Sequence, residues 1–115
     1  MPSEFDERWS GVSIPEREWH FHSRLLERYE IVLQPGEYSR MLKLISADRA
    51  PIVERRKNGR VLALRRRFDN RLVFVAVCGV RPLTALPPTP TLWRKWVKLS
   101  KRLRQTGIQY HDYLI

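Results

Sequence analysis

The sequence predicts an α+β fold in which two N-terminal helices precede a four-stranded antiparallel meander and a C-terminal basic amphipathic helix. Three observations lead to this prediction. In the first half of the chain, apolar residues recur at intervals of three and four, as on a helix with one buried face. After Pro51 the interval becomes two, which is typical of strands, and turn-forming residues separate the strand-like runs. After the Pro-rich run at residues 87–90 the helical interval returns.

Two helices are predicted before the sheet. Ser13 and Glu16 have the spacing of a capping box, so the first helix is expected to begin there and to end at about residue 29. Pro35-Gly36 begins the second helix, which ends near Asp48. The side chains of these helices that are expected to face the core are Trp19, His22, Leu25, Leu26, Tyr29, Tyr38, Met41, Leu42 and Ile45.

Four strands are predicted between residues 51 and 86. Asn58-Gly59 is a strong hairpin signal, and Asp69-Asn70 marks the next tight turn. The third strand is apolar throughout, which predicts cover on both faces and a buried Cys78. Pro82 lacks an N–H group, so the fourth strand is expected at an edge or with a bulge. The predicted strands are Pro51–Lys57, Arg60–Phe68, Leu72–Cys78 and Val80–Leu86.

A third helix is predicted from about Leu92 to Gln105, with Thr91 as its cap and Gly107 as its terminator. It carries an apolar stripe and a Lys/Arg-rich back. Membrane-surface helices share this pattern, but we expect the stripe to cover the otherwise open sheet, and no membrane partner is predicted. The tail from residue 108 to 115 is apolar enough that we expect it to pack. The stripe consists of Leu92, Trp96, Leu99 and Leu103.

The length of 115 residues suits a single domain. We expect residues 1–12 to form an irregular arm and residues 13–115 to form one α+β domain. No run approaches the roughly 20 apolar residues of a membrane span, and the N-terminus is acidic where a signal peptide is basic. With a single cysteine, disulfides cannot hold the fold, so a cytoplasmic location is predicted.

The charge of +10 is unevenly distributed along the chain. Residues 1–30 hold seven acids and four arginines, a net of −3, whereas residues 31–115 hold eighteen Lys or Arg and five acids, a net of +13. Such a charge attracts polyanions, and arginine suits phosphate in particular. RNA is the first partner predicted and DNA the second. There are two alternatives. The first is an acidic protein partner, namely an inhibitor, an antitoxin or a host protein. The second is that the protein is basic but has no anionic partner.

One helical row of residues is a candidate for chemistry. His20, Arg24 and Arg28 stand four apart and therefore share a helix face. An imidazole exchanges protons near neutral pH, and two guanidiniums can hold a phosphate. The alternative is a solvated face paired with nearby glutamates. One cysteine and three scattered histidines do not suggest a zinc site, so no metal or cofactor is predicted.

Three basic clusters are candidates for nucleic-acid contact. The first two are expected to lie opposite each other across the hairpin, where an anion would relieve their repulsion. The alternative for them is an edge hairpin kept soluble by charge. The third cluster is the back of the last helix. The clusters are Arg55, Arg56 and Lys57; Arg65, Arg66 and Arg67; and Arg94, Lys98, Lys101 and Arg102.

Parts of the chain resemble a known group of proteins. The run His20-x-x-x-Arg24-x-x-Glu27-Arg28-Tyr29-x-Ile31 is similar to the opening helix of small phage and bacterial members of the barnase/EndoU/colicin/RelE-like ribonuclease group. The run from Arg60 to Val75, followed by Leu83-Thr84-Ala85-Leu86-Pro87, resembles the terminal meander of that group. The resemblance covers about residues 18–88 and implies two helices before a four-stranded antiparallel sheet.

The resemblance also implies metal-free RNA cleavage by transphosphorylation. By this resemblance His20 is the helix histidine that takes the ribose proton, Arg28 holds the phosphate, and Thr84 is the hydroxyl residue of the last strand. Arg24 becomes a supporting cation, and Arg66 or Arg65 holds the phosphate from the sheet. The chain has no clear acidic partner for His20, unlike the Glu/His pair of barnase-like members.

Three hypotheses for the function follow. The first is a small cytoplasmic ribonuclease of toxin or phage type. The second is a non-catalytic protein on the same fold that binds nucleic acid or a host factor. The third is a protein-interaction module whose basic surface meets an acidic partner in a phage or toxin–antitoxin system.

Overall fold

Helices flank both faces of one antiparallel sheet in the computed structural model, which describes residues 14–34, 36–107 and 115. The strands follow one another in the order β1-β2-β3-β4, so the predicted meander and α+β class are confirmed. The edge position predicted for the strand that holds Pro82 is confirmed too, and the ladder is irregular beside it. The elements are a 3₁₀ turn (Glu16–Glu18), α1 (Trp19–Tyr29), α2 (Glu37–Ser46), β1 (Ile52–Arg56), β2 (Gly59–Arg65), β3 (Leu72–Cys78), β4 (Arg81–Leu86) and α3 (Pro90–Gln105).

The main core lies between the sheet and helices α1 and α2. Successive side chains of a strand point to opposite faces, so Val73, Val75 and Val77 of β3 enter this core. The helices contribute the positions spaced three and four apart that the sequence predicted, except that Trp19, Tyr38 and Leu42 are only partly buried. Phe21 is buried as well, although the sequence did not predict it. The buried helix residues of this core are Phe21, Leu25, Tyr29, Met41 and Ile45.

A second core lies on the opposite face, beneath helix α3. Leu92 and Trp96 are buried there against Phe74, which confirms that the apolar stripe of this helix covers the sheet. The helix begins earlier than predicted. The hydroxyl of Thr89, and not that of Thr91, accepts the hydrogen bond of the Leu92 N–H at 3.2 Å, because proline at the first helical position moves the cap upstream.

The register of the first hairpin differs from the prediction. The turn is centred on Lys57 and Asn58, and Gly59 is already the first residue of β2. A side chain on Gly59 would lie 2.1 Å from the carbonyl oxygen of Val77, so the close approach of β3 requires glycine. Arg55 therefore stands opposite Arg60, and the cluster at residues 65–67 lies at the far end of β2. The two basic clusters do not face each other, because a two-residue turn fixes each pairing along the hairpin.

Both ends of the chain reach beyond the described residues. Ser13, and with it the capping box, falls outside them, and the described helix opens with the 3₁₀ turn before α1 begins at Trp19. Of the tail, only Ile115 is described. It is buried in the main core, and its backbone bonds with Arg65 and Arg67 at 3.0 and 2.9 Å.

Cys78 is exposed, so the prediction of a buried thiol is wrong. It is the last residue of β3, and the buried part of this strand ends one residue before it, at Val77. In the described part of the chain, no helix is long and apolar enough to cross a membrane.

Candidate functional site

An open cleft of about 660 Å³ lies between the start of helix α1, helix α2 and the edge strand β4. Its walls combine apolar side chains with two arginines, one histidine and one glutamate. Val80 and Leu83 remain 59% and 43% exposed and extend the apolar surface to the rim. The lining residues are Arg17, Glu18, His20, Phe21, Tyr38, Leu42, Val80, Arg81, Pro82 and Leu83.

The charges of the cleft surround Tyr38. Burial raises the pKa of Tyr38 above its usual 10.0, the Glu18 carboxylate raises it further, and Arg17 and Arg81 act in the opposite direction. Both guanidiniums are thus close enough to act on one phenol, although they belong to different elements. His20 is exposed on the same cleft. Two cations and an imidazole therefore share a cleft with an aromatic wall.

His22 lies behind this cleft and is buried, which confirms its predicted place in the core. Its Nε2 atom is 3.4 Å from Oε1 of Glu18, and its ring centroid is 5.3 Å from that of Tyr38. Burial lowers the pKa of His22 below its ordinary 6.5, against the opposing pull of Glu18. Glu18 is therefore directed toward His22, and the two support the wall that Tyr38 presents.

Contrary to the sequence prediction, the structure does not bring His20, Arg24 and Arg28 together in one site. Arg24 bonds to Glu27 at 2.7 Å on the helix surface. Arg28 donates to the backbone oxygen of Ala85 at 2.7 Å and so occupies an open acceptor of the edge strand. Since eight residues of helix rise about 12 Å, Arg28 is also far along α1 from His20. Only His20 of this row lines the cleft.

Thr84 lies on the other face of the sheet. Its neighbour Ala85 belongs to the core under α1 and α2, and strand alternation directs Thr84 toward the side of α3, opposite Ala76. Its hydroxyl oxygen is buried and has no hydrogen-bond partner within the described residues. The structure therefore does not bring Thr84 together with His20.

Tyr29 links helix α1 to the sheet, although the sequence predicted only that its side chain faces the core. The hydroxyl of Tyr29 donates to the Leu86 carbonyl at 2.6 Å and accepts from the Phe74 N–H at 3.1 Å. It thus bridges β3 and β4. This contact and the one made by Arg28 fix α1 along β4, which positions the wall of the cleft that carries His20.

Arg66 is a buried structural cation. Its guanidinium makes a bidentate pair with Glu37, with Nε–Oε2 and Nη2–Oε1 distances of 2.9 Å. Asp69 and the Val32 carbonyl take its remaining hydrogen bonds at 3.0 and 3.1 Å. The sequence predicted that Arg66 contacts an anionic ligand, but the anion beside it is a carboxylate of the chain itself.

The two other arginines of that cluster differ from Arg66. Arg65 is half-buried and donates to the Asn70 carbonyl at 2.8 Å, whereas Arg67 is exposed. They are separated from the first hairpin cluster by the length of β2.

The first and third basic clusters are exposed, and they adjoin each other. Glu54 of β1 accepts from Lys95 of α3 at 2.6 Å and from Arg56 at 2.8 Å. The two cations lower the pKa of Glu54 below its usual 4.5. The hairpin tip and the outer face of α3 thereby form one surface. The exposed cations on it are Arg55, Arg56, Lys57, Arg94, Lys95, Lys98, Lys101 and Arg102.

Sequence reasoning missed Arg17 and Arg81 as residues of the cleft. The signal for Arg17 was available, because it stands three positions before His20, the spacing of neighbours on a helical surface. Arg81 gave no such signal, since only the packing of β4 beside α1 brings it to the cleft. Among the described residues there is no group of three or more His, Cys, Asp or Glu that could hold a metal ion.

No family model, curated protein or solved structure matches this chain.

Proposed function

We propose that this protein binds single-stranded RNA in the cleft and cleaves it without a metal, with His20 as the proton-transfer group. The observation that carries the proposal is the grouping of His20 with Arg17 and Arg81 on one cleft. RNA is a polyanion, and the chain carries a net charge of +10. The net positive charge attracts RNA to the protein, and the cleft determines where the RNA binds.

The proposed chemistry uses the ribose hydroxyl of the RNA itself. His20 takes the proton of the 2′-OH, and the resulting oxygen attacks the adjacent phosphorus. The bond from phosphorus to the 5′ oxygen breaks, that oxygen takes a proton from water, and a 2′,3′-cyclic phosphate remains. Arg17 and Arg81 offset the negative charge that builds on the phosphoryl oxygens, which is where fixed cations lower a barrier most.

The apolar part of the cleft favours a single strand over a duplex. An unstacked base can lie against the ring of Tyr38 and the apolar rim, whereas bases inside a duplex are not available for such contact. Base stacking on aromatic side chains contributes about 1–3 kcal/mol per base. The cleft thus offers both phosphate and base contacts.

Binding without cleavage is the second candidate. The observation that favours it is the orientation of Glu18, the carboxylate of the cleft, which is 3.4 Å from His22. In general acid–base catalysis a carboxylate commonly orients the histidine that takes the proton, but the Glu18 carboxylate is directed at His22.

His20→Gln tests the proposal. We expect RNA cleavage to fall about 10²–10⁴-fold while the Kd for RNA changes little, because the arginines still hold the phosphate. Arg24→Gln is the matched control, since it removes a charge one helical turn away and outside the cleft, and it should leave the rate unchanged. EDTA should have no effect, and a substrate with a 2′-deoxyribose at the cleaved position should bind and stay intact.

The outcomes separate the two candidates. Wild-type protein that binds RNA and leaves it whole supports binding without cleavage. Cleavage that survives in the His20 variant contradicts the assignment of this residue. Arg81→Gln should weaken binding and cleavage together, and a normal Kd in that variant would mean that RNA lies elsewhere.

A further inference from the structure

We infer that the outer face of helix α3 and the tip of the first hairpin form a second RNA-binding surface, which holds RNA that extends beyond the cleft. The inference rests on the proposed function for the identity of the ligand. It concerns the opposite side of the sheet, beneath α3, and none of its residues lines the cleft.

The charge pattern of α3 is unfavourable in the absence of a counter-ion. The helix Pro90–Gln105 contains six Lys or Arg residues and no acid. Lys98 stands four positions from both Arg94 and Arg102, a spacing at which like charges repel. Among the described residues, Lys95 is the one cation of α3 that pairs with a carboxylate. A polyanion along the outer face would relieve this repulsion.

The apolar face of α3 is already used. Leu92 and Trp96 are buried on the sheet, and Leu99 and Leu103 pack beside them. A helix that inserts into a membrane surface needs such a face free. The part of α3 that remains available to a partner is therefore its basic side.

The first hairpin continues this basic side. Glu54 contacts both Arg56 and Lys95, so one carboxylate holds strand β1 and helix α3 together. Arg55 and Lys57 are exposed at the hairpin tip beside them. The result is one broad cationic surface contributed by two elements.

The composition of this surface fits RNA better than an acidic protein. Four of its eight cations are lysines, Lys57, Lys95, Lys98 and Lys101, and lysine is depleted in protein–protein interfaces but is a regular phosphate contact. Trp93 is 49% exposed next to Arg94, and Val97 one turn later is 37% exposed. An exposed indole among cations offers a face on which a base can stack.

The two surfaces lie on different sides of the molecule. The cleft is formed by α1, α2 and the edge strand β4, whereas α3 packs on the other face of the sheet. The smallest dimension of the molecule is 25 Å, so a strand has to pass around the edge to contact both. A short oligonucleotide can fill the cleft alone, and only a longer RNA can reach α3.

The test compares RNAs of about four and about twenty nucleotides, lengths that bracket usual single-strand site sizes. The variant is Lys98→Gln with Lys101→Gln and Arg102→Gln. We expect its Kd for the long RNA to rise about 10-fold or more, and the slope of log K against log salt to fall by roughly one unit per lost contact. The Kd and cleavage rate of the short RNA should not change.

The matched control removes three exposed cations from elsewhere, with Lys43→Gln, Arg49→Gln and Arg67→Gln. It lowers the net charge equally, so an equal loss of long-RNA affinity in the control would overturn the inference in favour of a general charge effect. Equal losses for both RNA lengths in the α3 variant would also overturn it. Circular dichroism should show that each variant is folded, because the substituted side chains are exposed.

Failure of the proposed function and failure of the second surface give different results in these experiments. If the wild-type protein leaves RNA whole, yet the α3 variant loses long-RNA affinity, then cleavage is wrong and the second surface stands. If the protein cleaves RNA and the α3 variant binds both lengths normally, the cleft stands and the second surface is wrong. An acidic polypeptide such as polyglutamate that binds more tightly than long RNA would assign this surface to a protein.

Discussion

We expect the substitution Arg66→Met to lower the folding stability of this protein more than the loss of any exposed cation does. Arg66 is 6% exposed and Glu37, its bidentate partner, is 3% exposed. Glu37 also accepts from the Gln34 N–H at 2.6 Å, so it ties the start of helix α2 to the guanidinium. The pair raises the pKa of Arg66, because the charged form is the one that Glu37 stabilises.

The magnitude follows from what remains after the substitution. Methionine fills much of the space but leaves the Glu37 carboxylate buried without its cation. Breaking a buried pair in this way costs about 3–5 kcal/mol, whereas an exposed pair contributes about 0–1 kcal/mol. Since domains of this size are stable by roughly 5–15 kcal/mol, a large share of the stability is at stake.

Urea unfolding followed by tryptophan fluorescence measures this loss. With a urea slope of about 1–3 kcal/mol per molar, the midpoint should fall by roughly 1–5 M. Arg67→Met is the control, because its side chain is exposed, and it should change stability by about 0.5 kcal/mol or less. Equal midpoints for the two variants would refute the assignment of Arg66 to the core. Adding Glu37→Leu to Arg66→Met should recover much of the loss, since no buried charge is then left unpaired.

Three further predictions concern buried polar groups. Tyr29→Phe removes a hydroxyl that bonds to Phe74 and Leu86, and it should cost about 1–3 kcal/mol in urea unfolding for each backbone group left unsatisfied; no change would mean that water replaces the hydroxyl. The pKa of His22 is lower in the folded protein than in the unfolded chain, so the unfolded chain binds a proton at a higher pH. The contribution of His22 to folding stability should therefore be complete above about pH 6.5 and should fall as the pH drops below that value. The variant His22→Phe should lack this part of the pH profile. Thr84→Val removes a buried hydroxyl without a described partner, so unfolding and RNA cleavage assays should show unchanged or higher stability and an unchanged rate, and a loss of rate would return Thr84 to the chemistry.

The local sequence determined most of the secondary structure. The change of apolar period near Pro51 located the boundary between helices and strands, and the strand Leu72–Cys78 was predicted with the bounds that it has. Pro82 predicted an edge strand because a missing N–H is a property of the residue itself. The stripe of α3 predicted its contact with the sheet, since a helix with one apolar face has to bury that face.

The tertiary structure decided which charged residues meet. The cluster at residues 65–67 lies at the far end of β2 from Arg55, because pairing outward from the two-residue turn places Arg55 opposite Arg60, although both segments are strands as predicted. Arg28 and Arg66 look like free cations in the sequence, but a strand edge and a buried carboxylate bind them. Arg17 and Arg81 are far apart in the chain and share a cleft only because α1 packs along β4. The apolar period of a segment depends on residues a few positions apart and can therefore be recognised in the sequence. A cleft depends on residues from separate elements, and their relative positions are fixed only when the elements pack.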